Sequence, residues 1–392
     1  MLKPSYDVIV CGGGTAGIAA ALSAARTGAS TLLLEREYAL GGLATLGLIV
    51  IYLPLCDGDG VQMSGGLAEE LLRLSIRYGP GDIPPLWLDS TSCREDRAEG
   101  PRYQVQYQAA PFMLSAEEAL LEAGVDLLYS AQVSGVQKAG DRVEAVIIET
   151  KQGRRTLPGR AFVDASGDAD VLYFAGEKTF DDPTNRRTGW YFSFNGRDLR
   201  LHQQTDPIYA DIPAGSRLYS GTDIEAISQH CIDMRQMIRT HSQAMRSRQD
   251  PDAYPLIIPA FHGLRMTRRL DGVFAFSEDL HEGVWFEDAI GMIGNWKKRG
   301  CRYSLPYRTL CAPSVQNLYA AGRCTSADKS GWDLTRVIPS CAVTGEAAGL
   351  AGALQARNGR RPGHAAVQEQ LAARGVLLDA SLFGRTMGVS DR

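Results

Sequence analysis

The sequence predicts an α/β protein: a Rossmann-like dinucleotide-binding domain of three layers (ββα), into which a mixed α+β substrate or cap region is inserted. The first 35 residues read strand, glycine-rich turn, helix and strand. Apolar strands at 161–164 and 317–321 also run directly into glycine turns. Residues 181–308 differ from these segments in sequence character and include a long polar helical segment. Together these observations favour a nucleotide-binding core interrupted by a second region.

Length and composition set the class of protein. The chain has 392 residues, which is roughly two to three times a typical domain length, so we expect two interlocked domains. Hydrophobic residues make up 44% and charged residues 22%, as in ordinary globular proteins. Glycine is the exception, with 42 residues, or about 11% against a usual ~7%. This excess favours a backbone that turns tightly or approaches a ligand closely.

The charge pattern and the cysteines exclude several function classes. The chain has 41 basic and 45 acidic residues and no run of like charge, so neither nucleic acid nor an anionic membrane is an expected partner. Eight cysteines are scattered without a Cys-x-x-Cys pair, which argues against a metal site. No window reaches the ~18 apolar residues of a membrane span, and the first apolar stretch is too short for a signal peptide. We therefore expect a reduced, cytoplasmic protein, and leave a homo-oligomer open.

The N-terminal unit matches the dinucleotide-binding fingerprint. A strand at 6–11 is followed by glycine-rich residues 12–17, a helix at 18–27 and a second strand at 30–34 that ends on Glu35. An ordinary glycine-rich turn is the alternative. Strand, spacing, helix and terminal acid all agree with the fingerprint, so the functional interpretation is favoured.

Each residue type in this fingerprint has a physical role. Gly12 permits the tight turn, Gly14 lets the backbone approach a pyrophosphate, and Gly17 lets the helix pack closely on the strand. The pyrophosphate would lie at the helix N-terminus, where the helix dipole favours negative charge. Glu35 follows Gly12 by 23 residues and would accept hydrogen bonds from both hydroxyls of an unphosphorylated ribose.

The rest of the pattern supplies further elements. Helices are predicted at 67–74, 111–123, 223–248 and 340–354, and strands at 125–129, 133–137, 143–150, 161–164 and 317–321. The strand at 161–164 runs into a turn that contains Gly167, which would be a second contact to the same dinucleotide. We assign residues 1–60, 103–180 and 309–392 to the discontinuous core domain. Residues 61–102 and 181–308 are assigned to the substrate or cap region.

Several segments resemble a known family. Residues 265–269 read Arg-Met-Thr-Arg-Arg, residues 305–308 read Leu-Pro-Tyr-Arg, and residues 317–323 read Asn-Leu-Tyr-Ala-Ala-Gly-Arg. With the fingerprint and the Ala-Ser-Gly-Asp turn at 165–168, they resemble the FAD-dependent oxidoreductase family within the glutathione-reductase-like and succinate-dehydrogenase-like flavoproteins. The likeness spans roughly residues 5 to 355 and fades at 86–102 and 184–255.

The resemblance implies a non-covalently bound FAD in a Rossmann-like FAD-binding domain. The residues that would hold its adenosine and pyrophosphate are Gly12, Gly14, Thr15, Ala16, Gly17, Glu35, Arg36, Val133, Ala165 and Gly167. Gly41 and Gly42 would lie beneath the flavin, and Gly322 and Arg323 would meet the pyrophosphate or the ribityl chain. Ser340 and Cys341 would contact the cofactor from the start of the last long helix. The helix that follows Pro339 would direct its positive end at the flavin.

The chain departs from that class in three places. No Cys-x-x-Cys follows the first unit, so disulfide reductase chemistry is not expected. No second glycine fingerprint supplies a pyridine-nucleotide domain, so either NAD(P)H visits transiently as electron donor or the substrate itself reduces the flavin. Met266 stands where the family pattern carries an acidic residue.

Arginines of residues 265–269 are the first catalytic candidates. Arg265, Arg268 and Arg269 would bind a carboxylate or polyhydroxyl substrate, because a planar guanidinium suits oxyanions and stabilises charge that develops in hydride transfer. The alternative for each is a salt bridge at the domain junction. Arg265 is the first choice.

A histidine, a tyrosine and a cysteine complete the candidates. His262 is an acid/base candidate because its ordinary pKa is close to neutrality, with packing as the alternative. Tyr307 would present its phenol at the flavin or pack in the core. Cys341 would have a lowered thiol pKa if it is exposed to the helix dipole, although packing is favoured.

Three functions are consistent with these residues. The first is an FAD-dependent oxidoreductase that transfers a hydride between flavin N5 and a small polar substrate, such as a hydroxy acid, a sugar or a related alcohol or alkene. The second is a flavin monooxygenase or an electron-transfer flavoprotein. The third is a non-enzymatic module that binds NAD or ADP-ribose, against which the turns at Gly167 and Gly322 argue.

Overall fold

The computed structural model describes residues 2–206 and 215–391. Its strands are β1 (Tyr6–Cys11), β2 (Thr31–Leu34), β3 (Ile51–Tyr52), β4 (Val105–Gln106), β5 (Asp126–Leu128), β6 (Gln132–Ala139), β7 (Arg142–Thr150), β8 (Gly153–Asp164), β9 (Thr179–Asp181), β10 (Tyr191–Phe194), β11 (Leu199–His202), β12 (Tyr254–Ile257), β13 (Arg268–Leu270), β14 (Val284–Phe286), β15 (Ala289–Gly294), β16 (Arg302–Pro306), β17 (Leu318–Ala320) and β18 (Arg385–Met387). Its helices are α1 (Thr15–Arg26), α2 (Leu67–Ile76), α3 (Arg94–Glu99), α4 (Ala109–Glu122), α5 (Asp170–Phe174), α6 (Ile224–Arg248), α7 (Glu278–His281), α8 (Lys329–Thr335), α9 (Ile338–Asn358) and α10 (His364–Ala372).

A parallel sheet forms the centre of the molecule. Its strand order is β5-β2-β1-β8-β17, and every neighbouring pair is parallel. Strand β8 continues beyond this sheet: its first half pairs antiparallel with β7, which in turn pairs antiparallel with β6. The same strand therefore belongs to the parallel sheet and to an antiparallel meander.

The two faces of the parallel sheet have different covers. Val8, Val10 and Leu33 face the core that contains helices α1, α2, α4 and α9. The alternate residues Ile9 and Leu32 face the core that contains the side chains of β6 and β7. This alternation is the one that a strand requires. The structure thus has helix, parallel-sheet and meander layers, and the predicted three-layer α/β fold is confirmed.

Close contact between α1 and α9 explains the small residues of the last long helix. A Cβ atom on Gly345 would lie 2.2 Å from the carbonyl oxygen of Ala16, and one on Gly349 would lie 2.0 Å from that of Ala20. Both distances are far below van der Waals contact, so the helices approach to a distance that a larger side chain would prevent. The N-terminus of α9 is thereby held beside the N-terminus of α1.

Helix α9 also carries a buried carboxyl group. Glu346 is 2% exposed, and its Oε2 accepts a hydrogen bond from the backbone N–H of Leu67 at the start of α2, at 2.8 Å. Burial raises the pKa of Glu346 to about 7; Arg374 and Arg26 act in the opposite direction, and Glu70 adds to the rise. This hydrogen bond joins α9 to α2. Ionisation of the buried carboxyl costs free energy, because burial disfavours the charged form.

The remaining elements form smaller sheets. Strands β11, β10 and β12 make an antiparallel sheet, with α6 beginning after Asp223, whose side chain caps the helix. Further pairs are β9 with β13, β15 with β16, and β14 with β18. The last pair joins the C-terminal segment to residues 284–286. The predicted domain boundaries stay a prediction.

No single helix among residues 2–206 and 215–391 has both the length and the apolar character of a membrane span. Helices α8 and α9 would pass that test only as a pair, and they are bent by 86° relative to each other.

Candidate functional site

A cavity of about 390 Å³ lies at the carboxyl ends of four adjacent parallel strands. Strand β2 ends before Glu35, β1 before Gly12, β8 before Ala165 and β17 before Ala321, and all four of these residues border the cavity. Because the strand order is β2-β1-β8-β17, these residues follow one another across the sheet. Open α/β sheets bind ligands at this edge.

Glycines shape the floor of the cavity at the start of α1. Gly12 has φ +110°, a conformation that disfavours side chains, and a Cβ there would lie 2.3 Å from the carbonyl oxygen of Ala165. A Cβ on Gly17 would lie 1.7 Å from the carbonyl oxygen of Gly12. A Cβ on Gly14 would meet no atom within 4 Å. Gly12 and Gly17 therefore serve packing, whereas Gly14 keeps the cavity open.

The first amides of α1 border the same space. The intrahelical ladder begins with the N–H of Ile18, which donates to the carbonyl of Gly14 at 2.9 Å. The N–H groups of Thr15, Ala16 and Gly17 precede it, so they are the donors that a helix leaves for an anion. Thr15 and Ala16 line the cavity.

The glycine doublet predicted to lie under the flavin packs directly on this loop. The N–H of Gly41 donates to the carbonyl of Gly13 at 2.8 Å. A Cβ on Gly42 would lie 3.5 Å from the Cα of Gly14. Both Gly41 and Gly42 border the cavity.

Glu35 supports the glycine loop as well as facing the cavity. Its Oε2 accepts the N–H of Gly13 at 2.7 Å, and its Oε1 accepts the N–H of Glu37 at 2.8 Å. Burial raises the pKa of Glu35, while these two amides lower it. Each carboxylate oxygen has a second lone pair with which it can accept a ribose hydroxyl. Val133 borders the same end of the cavity.

A buried carboxylate connects three of the strand ends. Asp168 Oδ2 lies 3.5 Å from Arg36 Nη1, and its Oδ1 lies 3.4 Å from Arg323 Nη2. Burial alone would raise the pKa of Asp168, but Arg323, Arg36 and His262 hold it below its ordinary value. The Arg323 guanidinium also passes over Gly167, where a Cβ would lie 2.4 Å from Nη2. We call Arg36, Asp168 and Arg323 the Asp168 bridge.

The far end of the cavity lies at the start of α9. Val337, Ile338 and Cys341 line it. Ser340 is buried and does not border the described part of the cavity. Gly322 does not border it either, and a Cβ on Gly322 would lie 2.7 Å from Ala16 Cβ.

Arg265 lies at this end, as predicted for a substrate-binding residue. Its guanidinium lies over the ring of Trp190, 5.7 Å from the ring centroid. Asn185 Oδ1 accepts the backbone N–H of Arg265 at 3.0 Å and fixes the loop. Arg265 borders this cavity and also a second, adjacent one.

Three predicted catalytic residues lie elsewhere in the described structure. His262 does not border the cavity; its ring stacks behind Phe261 with centroids 4.4 Å apart, and burial lowers its pKa to about 4. Arg268 forms an ion pair with Asp170 at 2.6 Å and donates to the Asp168 carbonyl at 2.9 Å. Tyr307 is buried in the hydrophobic core. The packing and salt-bridge alternatives therefore describe these residues better.

Cys341 is buried, in agreement with the packing interpretation that the sequence favoured. Its thiol donates to the carbonyl of Arg336 at 3.3 Å, and burial raises its pKa to about 12. The thiol therefore stays protonated near neutral pH. It lines the cavity as a packed, neutral group.

Other lining residues had no assigned role in the sequence analysis. They include Phe261 and Trp190 from the inserted region, Trp296 between β15 and β16, and Arg336, which caps α8. Arg336 lies just before α9, which has a proline in its first turn. A proline at this place predicts a helix start, so the sequence could have located Arg336 beside the start of α9. No local sequence motif marks the aromatic residues, because only the tertiary fold brings them to the cavity.

A family model described as FAD dependent oxidoreductase matches residues 7–189 and 178–373. The chain belongs to this family. It is accordingly an enzyme, and the non-enzymatic alternative is wrong. Family membership also supports FAD as the cofactor. The residues present fit that group: a glycine cradle that Cβ atoms would fill, amides at a helix N-terminus, and a carboxylate at the end of β2.

Curated relatives match parts of the chain. It is 45% identical over 71 residues to the vinyl phenol reductase of Lactiplantibacillus plantarum, covering 17% of this chain and 14% of that protein. It is 25% identical over 209 residues to digeranylgeranylglycerophospholipid reductase 1 of Methanococcoides burtonii, covering 50% of this chain and 47% of that protein. The matches thus span less than half of these relatives.

Among solved structures, p-nitrophenol 4-monooxygenase from Pseudomonas putida superposes with a TM-score of 0.52 and 12% identity. The match covers 94% of this chain and 84% of that one. This likeness shows the fold alone.

Proposed function

We propose that this family member holds FAD non-covalently and transfers a hydride between flavin N5 and a small polar substrate. The single cavity that borders Glu35 at one end and Arg265 and the start of α9 at the other carries this proposal. An extended dinucleotide needs contacts at its ribose, its pyrophosphate and its ring system, and one cavity brings together candidate residues for all three, which supports the proposal.

The chain's own residues divide the binding task. Glu35 accepts the ribose hydroxyls, the first amides of α1 receive the pyrophosphate, and Arg323 adds a positive charge beside it. The start of α9 presents its positive end to the ring system. Bound FAD supplies a two-electron acceptor or donor, which the protein alone lacks.

Arg265 performs the orienting step on the substrate. Its planar guanidinium donates two parallel hydrogen bonds to an oxyanion or a hydroxyl pair and stabilises negative charge on oxygen during hydride transfer. Trp190 holds the guanidinium plane from one face. His262 stacks on Phe261 and does not border the cavity, so we assign it no proton transfer at the substrate.

The first prediction concerns the cofactor itself. Freshly purified protein is expected to show the absorption of oxidised flavin, and heat or acid should release FAD into the supernatant, because no covalent link is proposed. Chromatography of the released nucleotide identifies it. Recovery of only FMN or NAD, or of no nucleotide after expression with adequate flavin, would contradict the proposal.

The second prediction concerns Glu35. Glu35→Ala should weaken FAD binding by about 10- to 100-fold, since a charge-assisted hydrogen bond is worth roughly 1.5 to 3 kcal/mol. Glu35→Gln should lose less, because its amide oxygen can still accept one hydrogen bond. Titration of the apo-protein with FAD measures both. Equal affinity in wild type and the alanine variant would remove Glu35 from the ribose.

The third prediction concerns Gly14. Its φ of −69° suits alanine and an added Cβ meets no protein atom, so Gly14→Ala should fold normally. The methyl group would occupy space needed by the pyrophosphate and should weaken FAD binding about tenfold, or ~1.4 kcal/mol. Gly363→Ala is the matched control, because Gly363 also has φ −69° at a helix N-cap and an open Cβ position. Equal FAD affinity in the two variants would place the pyrophosphate elsewhere.

Oxygen separates hydride transfer from the monooxygenase alternative. Anaerobic reduction by a candidate substrate, followed by air, should return oxidised flavin and leave the substrate without an added oxygen atom. An oxygen atom incorporated from O₂ would favour the alternative. The same experiment with NADH or NADPH shows whether a pyridine nucleotide donates electrons.

A further inference from the structure

Phe261 borders the cavity but has no place among the proposed FAD contacts. It belongs to residues 181–308, which the sequence predicts to be an insertion into the nucleotide-binding core. The cofactor contacts proposed above all come from the core. Phe261 is therefore a candidate contact between the inserted region and the cofactor.

Hydrogen bonds fix the backbone on both sides of this residue to the core. The N–H groups of Ala260 and Phe261 both donate to the carbonyl of Leu46, at 3.0 and 3.2 Å. Further along, the carbonyl of Leu264 accepts a hydrogen bond from Arg323 Nη1 at 2.6 Å. We call residues 260–264 the Phe261 segment. The core therefore holds this segment at both of its ends.

The ring of Phe261 is fixed by two neighbouring side chains. The central guanidinium carbon of Arg36 lies 4.9 Å from the ring centroid, within the range of a cation–π contact. The ring of His262 stacks on the same ring, with centroids 4.4 Å apart and an interplanar angle of 26°. Phe261 as a whole is 9% exposed. These contacts keep the ring at the cavity wall.

The neighbours of the Phe261 segment indicate which part of FAD it would meet. Arg36 follows Glu35, the proposed acceptor for the ribose of the adenosine, and Arg323 is proposed to lie beside the pyrophosphate. Both are basic residues of the Asp168 bridge, and both contact this segment. Ribose and pyrophosphate belong to the ADP portion of FAD. The chain then continues to Arg265, which lies at the other end of the cavity.

We propose that Phe261 contacts the ADP portion of bound FAD, so that the inserted region and the core hold the cofactor together. The inference rests on the proposed function and adds a binding residue to it. An aromatic ring offers a nucleotide a large apolar surface. Because this ring is already fixed by Arg36 and His262, little side-chain entropy is lost when the nucleotide binds.

Titration of the full-length apo-protein with FAD and, separately, with ADP tests this proposal. Phe261→Leu keeps an apolar side chain but removes the ring, so the variant is expected to fold. It should raise the dissociation constants of both ligands by about fivefold, because both contain the portion that the ring contacts. The absorption spectrum of bound FAD should stay that of the wild type, because the flavin lies at the other end of the cavity.

Phe274→Leu is the matched control. Phe274 lies in the same inserted region, is 6% exposed and borders neither described cavity. Its ring has the same kinds of neighbour: the Arg308 guanidinium carbon lies 4.2 Å from its centroid, and the His281 ring stacks on it at 5.2 Å and 23°. This variant should bind FAD and ADP as the wild type does.

The outcomes separate this proposal from the proposed function. Unchanged binding of both ligands by Phe261→Leu would overturn the proposal, as would an equal loss in Phe274→Leu. A loss confined to FAD, or a shifted flavin spectrum, would place Phe261 at the flavin and overturn it too. Wild-type protein that binds FAD but not ADP contradicts this inference alone. Wild-type protein that binds neither contradicts the proposed function, and this inference with it.

Discussion

Replacing Arg265 by lysine is expected to slow reduction of the bound flavin by roughly 100-fold, with little change in FAD affinity. Lysine keeps the positive charge but loses the planar fork that orients an oxyanion, and about 3 kcal/mol of transition-state stabilisation goes with it. The spectrum of the oxidised flavin should change little. Stopped-flow reduction, normalised to bound FAD, measures the rate once a reducing substrate is known.

Arg268→Lys is the matched control for this experiment. Arg268 lies three residues further along the same segment, but its guanidinium is buried against Asp170 and the carbonyl of Asp168. Its replacement should lower thermal stability and leave the rate per FAD-loaded molecule near that of wild type. A wild-type rate in loaded Arg265→Lys would remove Arg265 from the substrate site and leave Arg336 as the next candidate.

Glu346 is expected to make stability depend on pH. Its folded-state pKa of about 7 lies above the ordinary value of 4.5, so folding favours the protonated carboxyl. The contribution of Glu346 to the free energy of unfolding is fully present below pH ~4.5 and is lost as the pH rises through ~7. The total loss is about 3 kcal/mol. Glu346→Gln keeps an acceptor for the N–H of Leu67 but cannot ionise.

The measurement is the difference in free energy of unfolding between wild type and Glu346→Gln, obtained by urea titration from pH 4.5 to pH 8. We expect near-equality at the acidic end and a less stable wild type, by about 3 kcal/mol, at pH 8. Groups that titrate elsewhere contribute equally to both proteins and cancel. A difference that stays constant over this range would show that Glu346 ionises normally in the folded protein.

Local pattern predicted the nucleotide-binding core well. Strand β1, the glycine turn, α1 and β2 are encoded within 30 residues, and α9 has Pro339 in its first turn, so no distant contact is needed to recognise them. Strand β8 was predicted only from 161 onward, although it begins at Gly153. Its first half is largely exposed and carries Arg154 and Arg155, so it lacks the apolar run that marks a buried strand.

The inserted region was harder to predict, for physical reasons. Its strands are three to six residues long, too short for a clear period, and they gain stability from tertiary partners. Arg265 and Arg268 share a sequence motif, but their surroundings in the fold differ. Arg265 borders the cavity, whereas Arg268 is buried in an ion pair with Asp170. Sequence spacing does not reveal that Phe261 stands between His262 and the cavity.

The Asp168 bridge restrains the site that we propose for the cofactor. It ties the segments that leave β2, β8 and β17 to one another with charges that are largely removed from water, where salt screens them little. We therefore expect the loops proposed to receive the nucleotide to be ordered before it binds. Less conformational entropy is lost on association, so more of the contact energy is retained as affinity. If the proposed function holds, retention of the cofactor depends on residues that the Asp168 bridge already holds in place.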